Sequence, residues 1–166
     1  NDRACHLISR LKGKGTQTVL LVAHVDTVFK RGEAAKRPFC VDENGFAWGP
    51  GVGDDKATVM EVIYGLQALK EAGFDDYNEI IYYTNGEEEG GSPTAEGIVA
   101  ELSQQADFAV IMDVARPNWG IVTQRKGNAK YKITVTGKGG HHGNASQCCA
   151  NAIHQLAYTI TELHKL

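Results

Sequence analysis

The sequence predicts an α/β protein: a layered domain with a mainly parallel sheet, followed by the start of an α+β domain. Three observations predict it. Short apolar runs rich in β-branched residues alternate with segments of helical periodicity. Histidine and carboxylate residues stand at the ends of those runs. Beyond Gly120 the apolar runs give way to strict apolar–polar alternation, the mark of a sheet with one wet face.

The first strand is Thr18-Val19-Leu20-Leu21-Val22-Ala23, a continuous apolar run of the kind buried on both faces. A loop follows, with room for a short strand near Phe46–Trp48. From Asp55 to about Glu71 the periodicity is helical, with Val59, Ile63 and Leu66 at three- and four-residue steps. Gly73 supplies a stop signal. Glu79–Thr84 reads as the second strand. Ser92 as N-cap and Pro93 in the first helical position open a helix that runs to about Gln105. Asp107–Asp113, with Phe108-Ala109-Val110-Ile111-Met112 inside it, is the third strand. Later, Gly120–Gln124 and Lys130–Thr136 read as two more strands. A final helix after Asn144–Gln147 sets Ile153, Leu156, Ile160 and Leu163 on one face. Pro117, Gly120 and Gly127 mark a boundary within 115–128, giving domains at 1–120 and 121–166.

Composition narrows the function classes. The chain has 166 residues, 42% hydrophobic and 22% charged, with a formal net charge of -3. That profile suits a folded soluble domain, and no basic stripe argues for nucleic acid. The cluster Lys30, Arg31, Lys36 and Arg37 is interrupted by Glu33 and reads as a solvated loop. No apolar run approaches the roughly 20 residues that cross a bilayer. Cys5, Cys40, Cys148 and Cys149 contain no C-x-x-C pair, which argues against a thiolate zinc site. Adjacent Cys148 and Cys149 read as small apolar residues near a helix start. A cytoplasmic, periplasmic or secreted location is compatible with this cysteine usage.

The chemistry-bearing residues sit at strand ends. His24 and Asp26 follow the first strand. Asp54 and Asp55 open the first helix after Gly49-Pro50-Gly51-Val52-Gly53. Glu87-Glu88-Glu89 follow the second strand, and Asp113 ends the third. Taken singly, each has an ordinary explanation: a hydrogen-bonded turn, a helix N-cap, a solvated acidic turn, a loop cap. Taken together they fall along the carboxyl edge of one sheet, where open α/β sheets bind ligands. One imidazole with several carboxylates suits Zn²⁺, with Mn²⁺ or Co²⁺ close behind. Two such ions about 3.5–4 Å apart would polarise a scissile carbonyl and activate a shared water, leaving a spare carboxylate to shuttle protons.

These residues resemble the motifs of the zinc-dependent carboxypeptidase and aminoacylase family of metallopeptidases. His24-Val25-Asp26-Thr27-Val28 resembles its H-x-D-T-V motif. Trp48-Gly49-Pro50-Gly51-Val52-Gly53-Asp54-Asp55-Lys56 is similar to its G-x-G-x-x-D-D/M-K segment. Asn85-Gly86-Glu87-Glu88-Glu89-Gly90-Gly91-Ser92 resembles D-E-E-x-G-S. Asp113 stands where the family has Glu or Asp. Thr136-Gly137-Lys138-Gly139-Gly140-His141-His142-Gly143 resembles the T-G-K-x-S-H-x-G start of its lid domain. The pattern is nearest to bacterial glutamate carboxypeptidases. It implies a three-layer αβα zinc-peptidase-like domain and the first part of a lid, or dimerisation, domain.

The resemblance also implies roles. His24, Asp54, Glu89 and Asp113 would bind metal, with Asp54 bridging two zinc ions. Glu88 would be the general base. Asp26 would support catalysis by fixing the His24 ring. The Asp54–Asp55 peptide bond would be cis. His141 would be the lid histidine that stabilises the tetrahedral intermediate, in a partner subunit's site. Departures from the pattern leave alternatives. Glu87 replaces the usual Asp, and the run of three glutamates admits two registers. Gly140 replaces Ser, and His142 beside His141 could take the lid role. The family also takes a last His ligand and a carboxylate-binding Arg from segments absent here, so the chain is expected to be a fragment, incomplete at both ends.

The expected activity is hydrolysis of an amide bond next to a free carboxylate in a small peptide or N-acyl amino acid, by a protein that forms a homodimer through its lid and touches neither nucleic acid nor membrane. The rivals are an N-acyl amino acid deacylase on the same site, an inactive metal-binding dimerisation fragment, and a plain α/β binding protein with solvated acids.

Overall fold

A computed structural model describes residues 5–116, 118, 120–141, 143 and 150–165. The chain divides into two compact units between Ile121 and Val122. The first holds, in order, β1 (Leu7–Lys12), β2 (Thr18–His24), a single turn α1 (Glu33–Lys36), β3 (Cys40–Val41), β4 (Ala47–Trp48), α2 (Ala57–Glu71), β5 (Glu79–Asn85), α3 (Ala95–Ser103) and β6 (Phe108–Ile111); the second holds α4 (Ala152–Leu163).

The main sheet runs β1-β5-β2-β6. β2 pairs in parallel with β5 and β6, whereas β1 adds antiparallel to β5. The sheet is therefore mixed, with a parallel heart. Strand parity divides the core into two layers. Leu20, Val22, Ile81 and Tyr83 point to one face and pack on Ala95, Ile98, Val99 and Leu102 of α3. Leu21, Ala23 and Tyr82 point to the other and pack on Val59, Val62 and Leu66 of α2. Helices on both faces of one sheet give the three-layer αβα arrangement. The chain steps from β2 through α2 to β5 on one side of β2. It then crosses through α3 to β6 on the other side. The carboxyl end of β2 therefore faces a crevice of the kind that binds ligands in such sheets.

Several elements differ from the sequence reading. β1 was not expected. α2 begins at Ala57, because Val52–Lys56 forms a wide turn with non-helical dihedrals at Asp54 and Asp55. Its buried face centres on Thr58, Val59, Val62 and Leu66, leaving Ile63 44% exposed. At 100° per residue, Val62 lies on the side of Thr58 and Ile63 on the opposite rim. The helix stops as expected: Gly73 has φ 66°, and the N–H groups of Gly73 and Phe74 reach back to the carbonyls of Lys70 and Leu69. The N-cap position of α3 is Thr94 rather than Ser92, and the Thr94 side chain makes no capping bond.

Beyond β6, Gly120–Gln124 and Lys130–Thr136 form no strand ladder; the bridge between Lys138 and Ala150 is the pairing among the described residues there. Tyr131 and Ile121 are 87% and 89% exposed. Alternating sequence makes a strand only when a partner completes the ladder, and two strands alone are marginal in water. Helix α4 starts at Ala152, where the Asn151 side chain accepts the His154 N–H at 3.0 Å. The expected start just after Asn144–Gln147, together with His142, Cys148 and Cys149, lies outside the described residues. His154 and His164 are exposed.

One ion-pair cluster staples β1 to β5. Glu79 is bound by Arg10 at 2.8 Å and Lys12 at 3.1 Å. Burial works against its carboxylate, but Lys12 and Arg10 outweigh that and hold the carboxyl below its usual range. A depressed folded-state pKa stabilises above the unfolded value of about 4.3 and loses that contribution as pH falls through the folded value. Glu79→Gln is therefore expected to lower the melting temperature at pH 7. The gap from the parent should close on titration towards about pH 3. A gap unchanged by pH would mean that shape, not charge, holds Glu79.

Candidate metal centre

The parallel pairing of β2 with β5 sets His24 opposite Asn85, and the Met112 N–H donates to the Val22 carbonyl at 2.7 Å. The segments after β2, β5 and β6 therefore leave the sheet along the same edge. His24 is 4% exposed. Its Nε2 lies 3.0 Å from Oδ1 of Asp54, and its Nδ1 lies 3.2 Å from the Asp26 carbonyl and 3.4 Å from the Asp26 carboxylate. The peptide bond between Asp54 and Asp55 is cis.

The two adjacent aspartates do different work. Asp55 is fully buried. Its Oδ2 accepts the His24 backbone N–H at 3.0 Å, and its other oxygen takes the Thr58 hydroxyl. It thus ties the end of β2 to the start of α2. Burial pushes its carboxyl pKa up, against the Thr58 and His24 hydrogen bonds. Donor atoms of His24, Asp55 and Asp113 lie within 4.8 Å of one another, close enough to share an ion. Both Asp55 oxygens are nevertheless committed to protein donors, while Asp54 carries a side chain 57% exposed with its carboxylate at the His24 ring. Asp54 is the better placed to turn an oxygen to a cation. No such structural role for Asp55 was anticipated from the sequence, and spacing alone does not reveal it.

The three glutamates also separate. Glu87 turns away to the start of α3, where its Oε1 accepts the N–H groups of Thr94 and Ala95 and, at 2.8 Å, the Thr94 hydroxyl. This carboxylate satisfies the free amides of the helix N-terminus, which explains why Ser92 is not the cap. Ser92 instead has φ 57° and accepts from the Asn85 amide at 2.8 Å. Glu88 is left facing the crevice, where His24, Asp113 and Asp26 act on its carboxyl, whereas Glu89 is exposed and its side chain is not among the donor atoms that gather with His24 and Asp113. The backbone N–H groups of Glu88 and Glu89 both donate to the Asp26 carboxylate, each at 3.0 Å. Asp26 thus fixes the glutamate loop as well as bordering the His24 ring.

Electrostatics mark the same spot. The Glu88 carboxyl is pushed above its usual range, first by burial and then by Glu89, Asp113 and Asp26, with His24 opposing. Burial disfavours a charged His24, but Asp55, Glu88, Asp54 and Asp26 outweigh it and raise its pKa. Among the described residues, no Lys or Arg forms an ion pair with Asp26, Asp54, Asp55, Glu88, Glu89 or Asp113. Carboxylates gathered round one imidazole repel one another unless a cation or protons offset them. This set of carboxylate oxygens with one imidazole nitrogen fits a hard or borderline divalent cation, and His24 and Asp113 could share it with an aspartate of the Asp54–Asp55 pair. His141, which accepts the Gly143 N–H at 3.2 Å, is exposed and belongs to the second unit.

Residues 20–165 match peptidase family M20/M25/M40. The chain is 33% identical over 149 residues to Carboxypeptidase G2 of Pseudomonas sp. (strain RS-16), covering 89% of this chain and 36% of that protein. It is 26% identical over 140 residues to a succinyl-diaminopimelate desuccinylase of Maricaulis maris (strain MCS10), covering 78% of this chain and 36% of that protein. A Beta-Ala-Xaa dipeptidase of Lactobacillus delbrueckii subsp. lactis is 36% identical over 80 residues, 46% of this chain and 17% of that protein. The chain spans roughly a third or less of the length of these relatives. The match runs through every strand end that carries the acidic cluster, and on that footing the chain belongs to peptidase family M20/M25/M40.

Proposed function

We propose that this chain supplies the larger part of a metal-dependent site that hydrolyses an amide bond next to a free carboxylate. The observation that carries the reading is the cluster of carboxylates round His24, without Lys or Arg partners among the described residues, at the carboxyl ends of the parallel strands. Family membership, with relatives named as carboxypeptidase and dipeptidase, supports it.

His24, Asp54, Glu89 and Asp113 are proposed to hold zinc, two ions in the intact site, with Asp54 shared between them. Bound there, the metal would polarise the scissile carbonyl and acidify a water. The chain's own residues do the rest. Glu88 takes the proton of the attacking water as its oxygen bonds to the carbonyl carbon. It then gives that proton to the amide nitrogen as the C–N bond breaks. A carboxyl held above its usual pKa suits both duties. Asp26 keeps Glu88 in reach by binding its amide. Residues 1–120 are proposed as part of the catalytic domain and 121–166 as the start of a lid through which the intact protein forms a dimer. The division between Ile121 and Val122 supports that boundary. His141 is the proposed donor to the carbonyl oxygen under attack, in the partner's site.

A second reading, removal of an acyl group from an N-acyl amino acid, is favoured by the likeness to a desuccinylase. The full-length protein should be assayed on dipeptides, N-acyl amino acids and the same compounds with the carboxylate amidated. Activity should vanish on chelation, return with Zn²⁺, and be absent on amidated substrates. Hydrolysis that survives exhaustive chelation would sink the metal reading, and equal rates on amidated compounds would sink the carboxylate requirement.

A further inference from the structure

We infer that His6 is a positioning residue for the loop that carries Glu88, acting through Glu87; this rests on the proposed role of Glu88. The antiparallel pairing of β1 with β5 sets Leu7 opposite Thr84, so His6 arrives beside the carboxyl end of β5, at Asn85, two residues before the first glutamate. Its side chain is 13% exposed. The ring stacks on Tyr83, which is fully buried, with centroids 5.8 Å apart and planes at 21°.

The polar atoms form one directed chain. Nδ1 lies 2.8 Å from the Tyr83 hydroxyl, and Nε2 lies 3.0 Å from the Thr94 hydroxyl. The Thr94 hydroxyl in turn lies 2.8 Å from Oε1 of Glu87. With His6 as a neutral imidazole, one proton arrangement satisfies every member. Tyr83 donates to Nδ1, Nε2–H donates to Thr94, and Thr94 donates to the Glu87 carboxylate. The Gly86 N–H, 3.5 Å from Nδ1, points at the same acceptor. Aligned bonds of this kind reinforce one another in a buried setting.

The backbone supports the same contact. A Cβ on Gly86 would lie 2.2 Å from the Cys5 carbonyl oxygen, so the entry to β1 rests directly on the first residue of the loop. The loop is closed on itself as well: the Ser92 N–H reaches the Glu87 carbonyl at 2.9 Å, and the Glu87 N–H reaches Asn85 Oδ1 at 3.0 Å. Glu88 is therefore held from two sides. Asp26 grips its amide from the His24 side. The Tyr83–His6–Thr94 chain fixes its neighbour Glu87 from the far side. A catalytic group displaced by about 1 Å loses on the order of 100-fold in rate, so an anchor with no contact to substrate acts on turnover rather than binding.

The test compares the full-length protein with His6→Phe, Tyr83→Phe and His6→Gln. His6→Phe keeps the stack on Tyr83 and removes both hydrogen bonds. Tyr83→Phe removes one hydroxyl with minimal risk to folding. His6→Gln restores a donor towards Thr94. Hydrogen exchange of the metal-free proteins is read first, since it needs no activity. Amides of 86–95 should exchange tenfold faster or more in His6→Phe, less so in Tyr83→Phe, and near the parent rate in His6→Gln, with α2 unchanged. On N-benzoyl-glutamate, kcat should fall tenfold or more in His6→Phe with KM within twofold, and recover in part in His6→Gln. Unchanged exchange of 86–95 in both Phe variants overturns the inference. So does loosening of α2 to the same degree, which would make His6 a general structural residue. A parent protein that hydrolyses no amide substrate, with the exchange pattern as expected, would remove the proposed function and leave the anchoring intact.

Discussion

Glu88→Gln is expected to abolish most turnover in the full-length protein, with kcat down by about 10²–10⁴ and metal binding unchanged. The amide keeps the volume and the backbone contacts of Glu88, including its N–H bond to Asp26. What it removes is the one function a spare carboxylate supplies, exchange of a proton with water and then with the leaving nitrogen. The structure narrows the choice among three glutamates. Glu87 is committed to the start of α3 and cannot serve without releasing the helix amides. Glu87→Gln should therefore loosen the loop and α3 while leaving a measurable fraction of kcat. Kinetics and calorimetric metal titration on the two variants separate the roles. A Glu88→Gln enzyme with more than a tenth of parental kcat would move the base elsewhere, with Glu89 first in line. Lost metal binding in Glu88→Gln would make Glu88 a ligand rather than a base.

Leu20→Ala carries the largest expected stability effect. Leu20 is 1% exposed and packs with Ile81, Tyr83, Ala95 and Leu102. Truncation removes buried methyl groups and leaves a cavity that neighbours on a hydrogen-bonded sheet cannot close, a loss of about 2–5 kcal/mol. For a domain with a marginal reserve of roughly 5–15 kcal/mol, that is a large share. Ile111→Ala is the matched control on β6, where Ile111 is 64% exposed; its expected cost is within about 1 kcal/mol. Urea denaturation of the three proteins measures both. Equal losses for the two variants would contradict the packing described for the α3 layer.

Much of this fold was legible because buried parallel strands are continuous apolar runs. β2 and β5 announce themselves in that way, and β6 by the same kind of apolar run although its four residues are exposed; the helices between them follow from spacing and stop signals. β1 did not, because Leu7-Ile8-Ser9-Arg10-Leu11-Lys12 lies at a sheet edge and stays mostly exposed; its polar residues answer to Glu79 and to solvent. The two strands expected after Gly120 failed for the opposite reason. Their alternation is clear, but pairing is a property of two segments, and one pattern cannot supply the other. At the site, the gathering of His24, Asp26, Asp54, Glu88 and Asp113 on one edge follows from strand order. The finer assignments did not follow. That Asp55 ties β2 to α2, and that Glu87 displaces Ser92 as the cap of α3, depends on which carboxylate reaches a free backbone amide first. Spacing alone cannot decide such competitions.

The parity of β2 has a consequence for how this chain can change over evolutionary time. Successive residues from Leu20 to Ala23 serve alternate helical layers, and the next residue is His24. Loss or gain of a single codon within Thr18–Ala23 would exchange the two cores and swing the imidazole to the wrong face. The mostly exposed stretch from Lys30 to Arg37 pairs with no strand and faces no such constraint. Length variation among natural homologues should accumulate there, while the six positions before His24 tolerate replacement but neither insertion nor deletion.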